Sequence, residues 1–142
     1  MRVIGVDLGE RRIGLAVSDA SATIARPLRT LERDRSDEAA ADALAAAIDV
    51  MNVEDAVGCV VVGLPSHLDG SPSDQTVRVQ RMVALLSSRT LVPVVLQDER
   101  LSSHEAEERL ATRERDWRKR KAKLDAAAAA VILQDYLDAR KG

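Results

Sequence analysis

The chain of 142 residues has no phenylalanine and holds one tryptophan, one tyrosine, one cysteine and two histidines. A lone thiol cannot build a disulfide framework, and Cys59, inside "VGCVVVG", reads as a small core residue rather than a reactive group. With no histidine pair at ligand spacing, a zinc site has no support. No apolar run is long enough to cross a bilayer, and the first residues do not form a basic-then-apolar leader. A reduced, cytoplasmic setting with no membrane partner is therefore expected. No internal repeat is visible, and the low-complexity stretch is Ala126 to Ala130. Net charge names no partner either, since 21 Lys and Arg face 23 Asp and Glu.

A hydrophobic content of 46% suits one well-cored domain over residues 1–142, a length too short for two ordinary domains. The charge is segregated. Arg109 to Lys123 holds eight basic and two acidic residues, a local charge of +6 against an overall −2, which leaves −8 for the remainder.

The pattern of elements predicts an α/β fold. "RVIGVDL" is a strand apolar on both faces, "RIGLAVSD" is a second joined to it by a short turn, and "IARPLRTL" is a weaker third. Ser36 is a candidate N-cap for a helix with Ala40, Leu44, Ala47, Ile48 and Met51 on one face. "VGCVVVGLP" is a buried strand, "LDGSPS" a turn, and the next helix points Val79, Met82, Val83 and Leu86 inward. "VPVVLQ" is the fifth strand, and Ser102 with Glu105 forms a capping-box pattern opening another helix. The last helix is expected from about Lys123 to Ala139. Strands alternating with helices imply parallel pairing added to an antiparallel hairpin sheet.

In such a sheet the site lies beyond the carboxyl ends of the strands, where acidic residues become informative. Asp7 ends the first strand on the side of Val3 and Gly5, Glu99 follows the fifth strand, and Asp125 tops a stripe with Ala129, Ile132 and Tyr136. The alanines beneath Asp125 would let its helix come close to the sheet. Clustered carboxylates repel unless a cation neutralises them, and hard oxygen ligands point to Mg²⁺ or Mn²⁺. Two such ions roughly 4 Å apart would clamp a phosphodiester for attack by water. The basic segment would hold a polyanion, with Arg118, Arg120, Lys121 and Lys123 on its backbone and Trp117 stacking on a base. Arg11 and Arg12 beside Asp7, and Arg100 beside Glu99, are candidates for the same role. Each acid also has a structural reading: Asp7 as a turn cap, Glu99 as an ion pair with Arg100, Asp125 as a helix-dipole partner. His67 and His104 read as local structure.

"GVDLGERRIGLAVSD", "VVVGLPSHLDGS", "DERLSSHEAEERL" and "KAKLDAAAAAVILQDYL", in this order and spacing, closely resemble the YqgF (RuvX) family of bacterial ribonuclease-H-like proteins. The likeness covers nearly the whole chain. It implies a five-stranded mixed sheet flanked by helices and a metal-dependent nuclease thought to mature the 5′ end of the small-subunit ribosomal RNA precursor. Holliday junction resolvases are among the family's relatives. By position the family's acidic site residues fall on Asp7, Glu99 and Asp125.

Structured RNA is thus the leading expected partner, with a junction-resolving DNA nuclease as the alternative. A monomer and a homodimer both stay open, the second favoured by symmetric junction cleavage. A nucleic-acid-binding module without activity is a further reading. An actin-like ATPase, suggested by "DLGERRIGLAVSD", would need two related domains that this length cannot hold.

Overall fold

Strand β1 (Arg2–Leu8) lies in the middle of the molecule, and its burial on both faces explains why the sequence shows an unbroken apolar run there rather than alternation. A computed structural model describes residues 1–33, 36–65, 71–98 and 117–141, without side chains for 117–124 and 141. The other strands are β2 (Arg12–Ser18), β3 (Ala25–Glu32), β4 (Val57–Leu64) and β5 (Val94–Asp98), in the sheet order β3-β2-β1-β4-β5. β1, β2 and β3 pair antiparallel, whereas β4 joins β1 and β5 joins β4 in parallel. The mixed sheet matches expectation.

Two layers of helix cover it. Helices α1 (Asp37–Glu54) and α2 (Asp74–Ser87) bury Leu44, Ile48, Val79, Met82 and Leu86 against Ile4, Val6, Ile13 and Leu15. Ser36 caps α1 as predicted, its hydroxyl accepting from the Ala39 amide at 3.1 Å. Ser73 and Thr76 form a capping box for α2, and the Thr76 hydroxyl also donates to the Pro65 carbonyl.

Helix α3 (Trp117–Lys141) covers the opposite face. It begins about two turns earlier than the alanine pattern suggested, because the Arg- and Lys-rich residues before Lys123 continue the helix. Ala129, Ile132, Leu133 and Leu137 pack on Val3, Ala16 and Val61. Gln134 fastens α3 to the β2–β3 connection, accepting from the Ala25 amide at 2.8 Å and donating to the Thr23 carbonyl at 3.1 Å. Cys59 is a half-buried packing residue as expected, 3.7 Å from the Tyr136 hydroxyl. Burial pushes that phenol's pKa up; Cys59 adds to the effect and Arg140 opposes it.

The alanines are half the reason α3 comes so close. A Cβ built on Gly14 would stand 2.0 Å from the Asp125 carbonyl oxygen, and one on Gly5 would stand 2.7 Å from Leu133 Cβ. Both strand positions must stay bare for the helix backbone to rest there.

Two expectations follow. Gly14→Ala pits a methyl group against main chain and should cost about 3 kcal/mol or more in urea unfolding, at the upper end of overpacking effects. At Gly58 the nearest atom to a built Cβ is in the side chain of Met1, 3.2 Å away, and Gly58→Ala should stay within about 1 kcal/mol of wild type. The second concerns the turn after β2, where the Ser21 hydroxyl and the Ile24 and Thr23 amides hold the Asp19 carboxyl well below the usual carboxylate range. A carboxyl lower in pKa when folded stabilises the fold above its unfolded value of about 4 and loses that contribution as the pH falls through the folded value. Asp19→Ala should therefore lower the urea midpoint most at neutral pH, with the gap to wild type shrinking toward about pH 2.

Candidate active site

The parallel strands β1, β4 and β5 end on one edge of the sheet, at Leu8, Leu64 and Asp98. Alternation along β1 puts Val3, Gly5 and Asp7 on the face covered by α3, so Asp7 is a half-buried carboxylate at the rim of an apolar layer. The β1–β2 register sets Asp7 opposite Gly14, the residue on which the Asp125 backbone rests. Gly14 is thus the shared neighbour of Asp7 and Asp125, which lie 118 positions apart in the chain. Asp125 belongs to the third turn of α3 and not to its start, so the helix-dipole reading of this residue does not hold. What draws it to its place is packing on glycine.

Arg12 begins β2, and its Nε donates to Asp125 Oδ2 at 2.9 Å. Asp125, Arg12 and the hairpin residues Gly9, Glu10 and Arg11 line an open cleft of about 130 Å³. The tip above it is braced from two sides. The Gly9 amide donates to the Arg12 carbonyl at 3.0 Å, closing the turn around Glu10 and Arg11. Arg33 then ties the tip to the body: its amide donates to the Arg11 carbonyl at 3.0 Å, and its guanidinium donates to the Gly9 carbonyl and to Asp37, both at 2.8 Å. Glu10 faces Arg78 of α2 at 3.8 Å.

Of the residues predicted for the site, the structure places Asp125, Arg11 and Arg12 around one cleft, with Asp7 on the same face across Gly14. Arg12, expected on substrate, is engaged with Asp125. Glu99 and Arg100 follow the last residue of β5 and lie outside the described residues, as do the side chains of Trp117, Arg118, Arg120, Lys121 and Lys123. The same holds for His67, His104 and the Ser102–Glu105 pattern. Among the described residues no three His, Cys, Asp or Glu side chains form a metal cluster; the third member of the predicted triad, Glu99, is not among them. Sequence reasoning missed Arg33 and the role of Gly14. The glycine had a readable signal, a Gly inside a strand pattern, which often marks the close approach of another backbone. Arg33 had none, since its partners are carbonyls and a helix-start carboxylate that only folding assembles.

An antiparallel three-strand sheet extended by two parallel strands, with a carboxylate on the central strand at its carboxyl end, defines a ribonuclease-H-like fold. The same fold occurs in a Thermus thermophilus RuvC in complex with a Holliday junction substrate, with a TM-score of 0.58 and 20% identity over 100% of this chain and 97% of that one. A family model described as "RuvX: Holliday junction resolvase" matches residues 1–139, and the chain belongs to the RuvX family. A relative from Chloroflexus aurantiacus (strain J-10-fl) is 44% identical over 139 residues, covering 98% of this chain and 88% of its own, and bears the name "Putative pre-16S rRNA nuclease". One from Anaeromyxobacter sp. (strain Fw109-5), 44% identical over 140 residues with 99% and 98% covered, bears the same name.

The bracing of the hairpin tip yields a test. Arg33→Ala removes a guanidinium that holds both Gly9 and Asp37, and amide exchange at Gly9 should speed up by about tenfold while the core strands keep their protection. Unchanged exchange at Gly9 would show that the turn stands without it.

Proposed function

We propose that this protein is a divalent-metal-dependent nuclease that hydrolyses phosphodiester bonds of structured RNA, acting in the cytoplasm on the 5′ end of precursor 16S ribosomal RNA. The observation that carries the reading is the pair Asp7 and Asp125, drawn to one face of the sheet edge around Gly14 beside an open cleft. Membership in the RuvX family and the names borne by close relatives support the substrate. Among the described residues no helix is long and apolar enough to cross a membrane, in keeping with an aqueous substrate.

The donor set suits a hard cation. Asp7 of β1 and Asp125 of α3 lie on one face of the sheet around Gly14, and Asp125 already draws a positive group, the Arg12 guanidinium, to its oxygen. Asp7, Glu99 and Asp125 would hold Mg²⁺ or Mn²⁺. When bound, two such ions supply a lowered pKa for attacking water and charge stabilisation on the leaving oxygen. The chain's own residues do the rest. Arg11 at the hairpin tip lines the cleft and offers a cation to a backbone phosphate. Arg100, Arg118, Arg120, Lys121 and Lys123 add charge along the same strand of nucleic acid, and the Trp117 indole stacks on an unpaired base. Arg33 holds the hairpin tip that carries Arg11 to the body of the molecule.

One observation favours a second reading: the family model carries the description of a Holliday junction resolvase. Branched DNA would then replace RNA, and symmetric cutting would call for a homodimer rather than a monomer.

Cleavage of end-labelled precursor 16S RNA and of a four-way DNA junction, each with Mn²⁺, Mg²⁺ or EDTA, separates the readings. RNA should be cut in either metal and not in EDTA, and Asp7→Asn should lower the rate about a hundredfold or more. Paired nicks in the junction with intact RNA would favour the resolvase; binding without cutting, unchanged in Asp7→Asn, would leave a module without activity.

A further inference from the structure

Arg12 occupies an odd position for a residue read as a substrate contact. Its guanidinium is spent on Asp125, a carboxylate that the proposed metal also needs, and both side chains are only about a fifth exposed, at 21% and 23%. Arginine keeps its charge at any physiological pH, so loss of a proton from the guanidinium does not open this pair. A competing cation can. The pair is partly solvated and held through Nε alone, a class of contact worth a factor of about five in an equilibrium, which a divalent ion between two carboxylates exceeds. The β2–β3 register also supplies somewhere for the displaced group to go. Arg12 stands directly opposite Glu32, with the side chains of such cross-strand partners on the same face, and it borders the cleft lined by Gly9, Glu10 and Arg11.

We propose that Arg12 is the internal counter-cation of the metal-free site: it holds Asp125 in place against the charge of Asp7 until a divalent ion takes that carboxylate. The freed guanidinium then turns to the cleft as a ligand for the substrate's phosphate, with Glu32 as its resting partner. Metal and nucleic acid are coupled by this exchange, because the phosphate ligand becomes available only after the metal has arrived. Arg12 is thus a positioning residue for Asp125 in one state and a phosphate ligand in the other. The inference rests on the metal-dependent reading above and goes beyond it by ordering the two binding events.

The test is binding, without turnover. Calorimetric titration of Mn²⁺ into the metal-free protein should show Arg12→Gln and Arg12→Ala binding about fivefold tighter than wild type, since they abolish the competitor and its repulsion of the ion. In wild type, the Arg12 Nε–Hε signal, assigned from Arg12→Lys, should shift on titration with Mg²⁺ and saturate at the same concentration as metal binding. That measurement needs no variant to be stable beyond the one used for assignment. Affinity in Arg12→Gln equal to or weaker than wild type, or an Nε–Hε signal unmoved at metal saturation, would overturn the proposal while leaving the metal site standing. Absence of Mn²⁺ binding by wild type at millimolar concentration would instead remove the metal-dependent reading, and this inference with it.

Discussion

Helix α3 rests with its backbone against two bare α-carbons, Gly5 on the central strand and Gly14 on its antiparallel neighbour. Everything at the carboxyl edge depends on that approach. It sets the depth at which Asp125 sits, and the β1–β2 register passes the same constraint to Asp7, because Gly14 is the partner of Asp7 across the hairpin. Below the site the contact becomes an apolar layer, with Ala129, Ile132 and Leu133 against Val3, Ala16 and Val61. Small residues on both surfaces thus serve a geometric end: they let the main chain of the helix rest on the strand face that also carries Asp7. Longer side chains at either glycine would lift the helix and separate the acids.

Electrostatics then works within that frame. A half-buried carboxylate costs less free energy with a positive group beside it, and Arg12 donates to Asp125. The hairpin that carries Arg12 is itself anchored by Arg33, which links the tip to the start of α1 through Gly9 and Asp37. Two arginines therefore have distinct tasks: one pairs with Asp125 and the other fixes the loop that delivers it. In the sequence, eight basic residues fall between Arg109 and Lys123, ahead of Asp125.

Much of this architecture was legible beforehand because it follows from patterns of period two and 3.6. β1 and β4 announced themselves as doubly buried strands, Ser36 as a cap, and Val79, Met82 and Leu86 as an inner face. The start of α3 was misjudged, since a highly charged stretch before the alanines shows no apolar stripe even though Arg and Lys are good helix formers. Asp7 was singled out as an acid in an apolar pattern and Asp125 as one topping an apolar stripe, local anomalies visible without coordinates.

The sequence by itself determined the α/β class, the order of the described strands and helices and the family, because each of these is encoded in residues near one another in the chain. Only the tertiary structure decided that Asp7 and Asp125 share Gly14, that Arg12 is bound to Asp125, and that Arg33 braces the hairpin tip. The physical reason is separation: the Arg12–Asp125 contact spans 113 positions, and no local propensity carries information about which carboxylate a distant guanidinium will meet. Such contacts exist only after the sheet has taken its register and the helix has settled on its glycines.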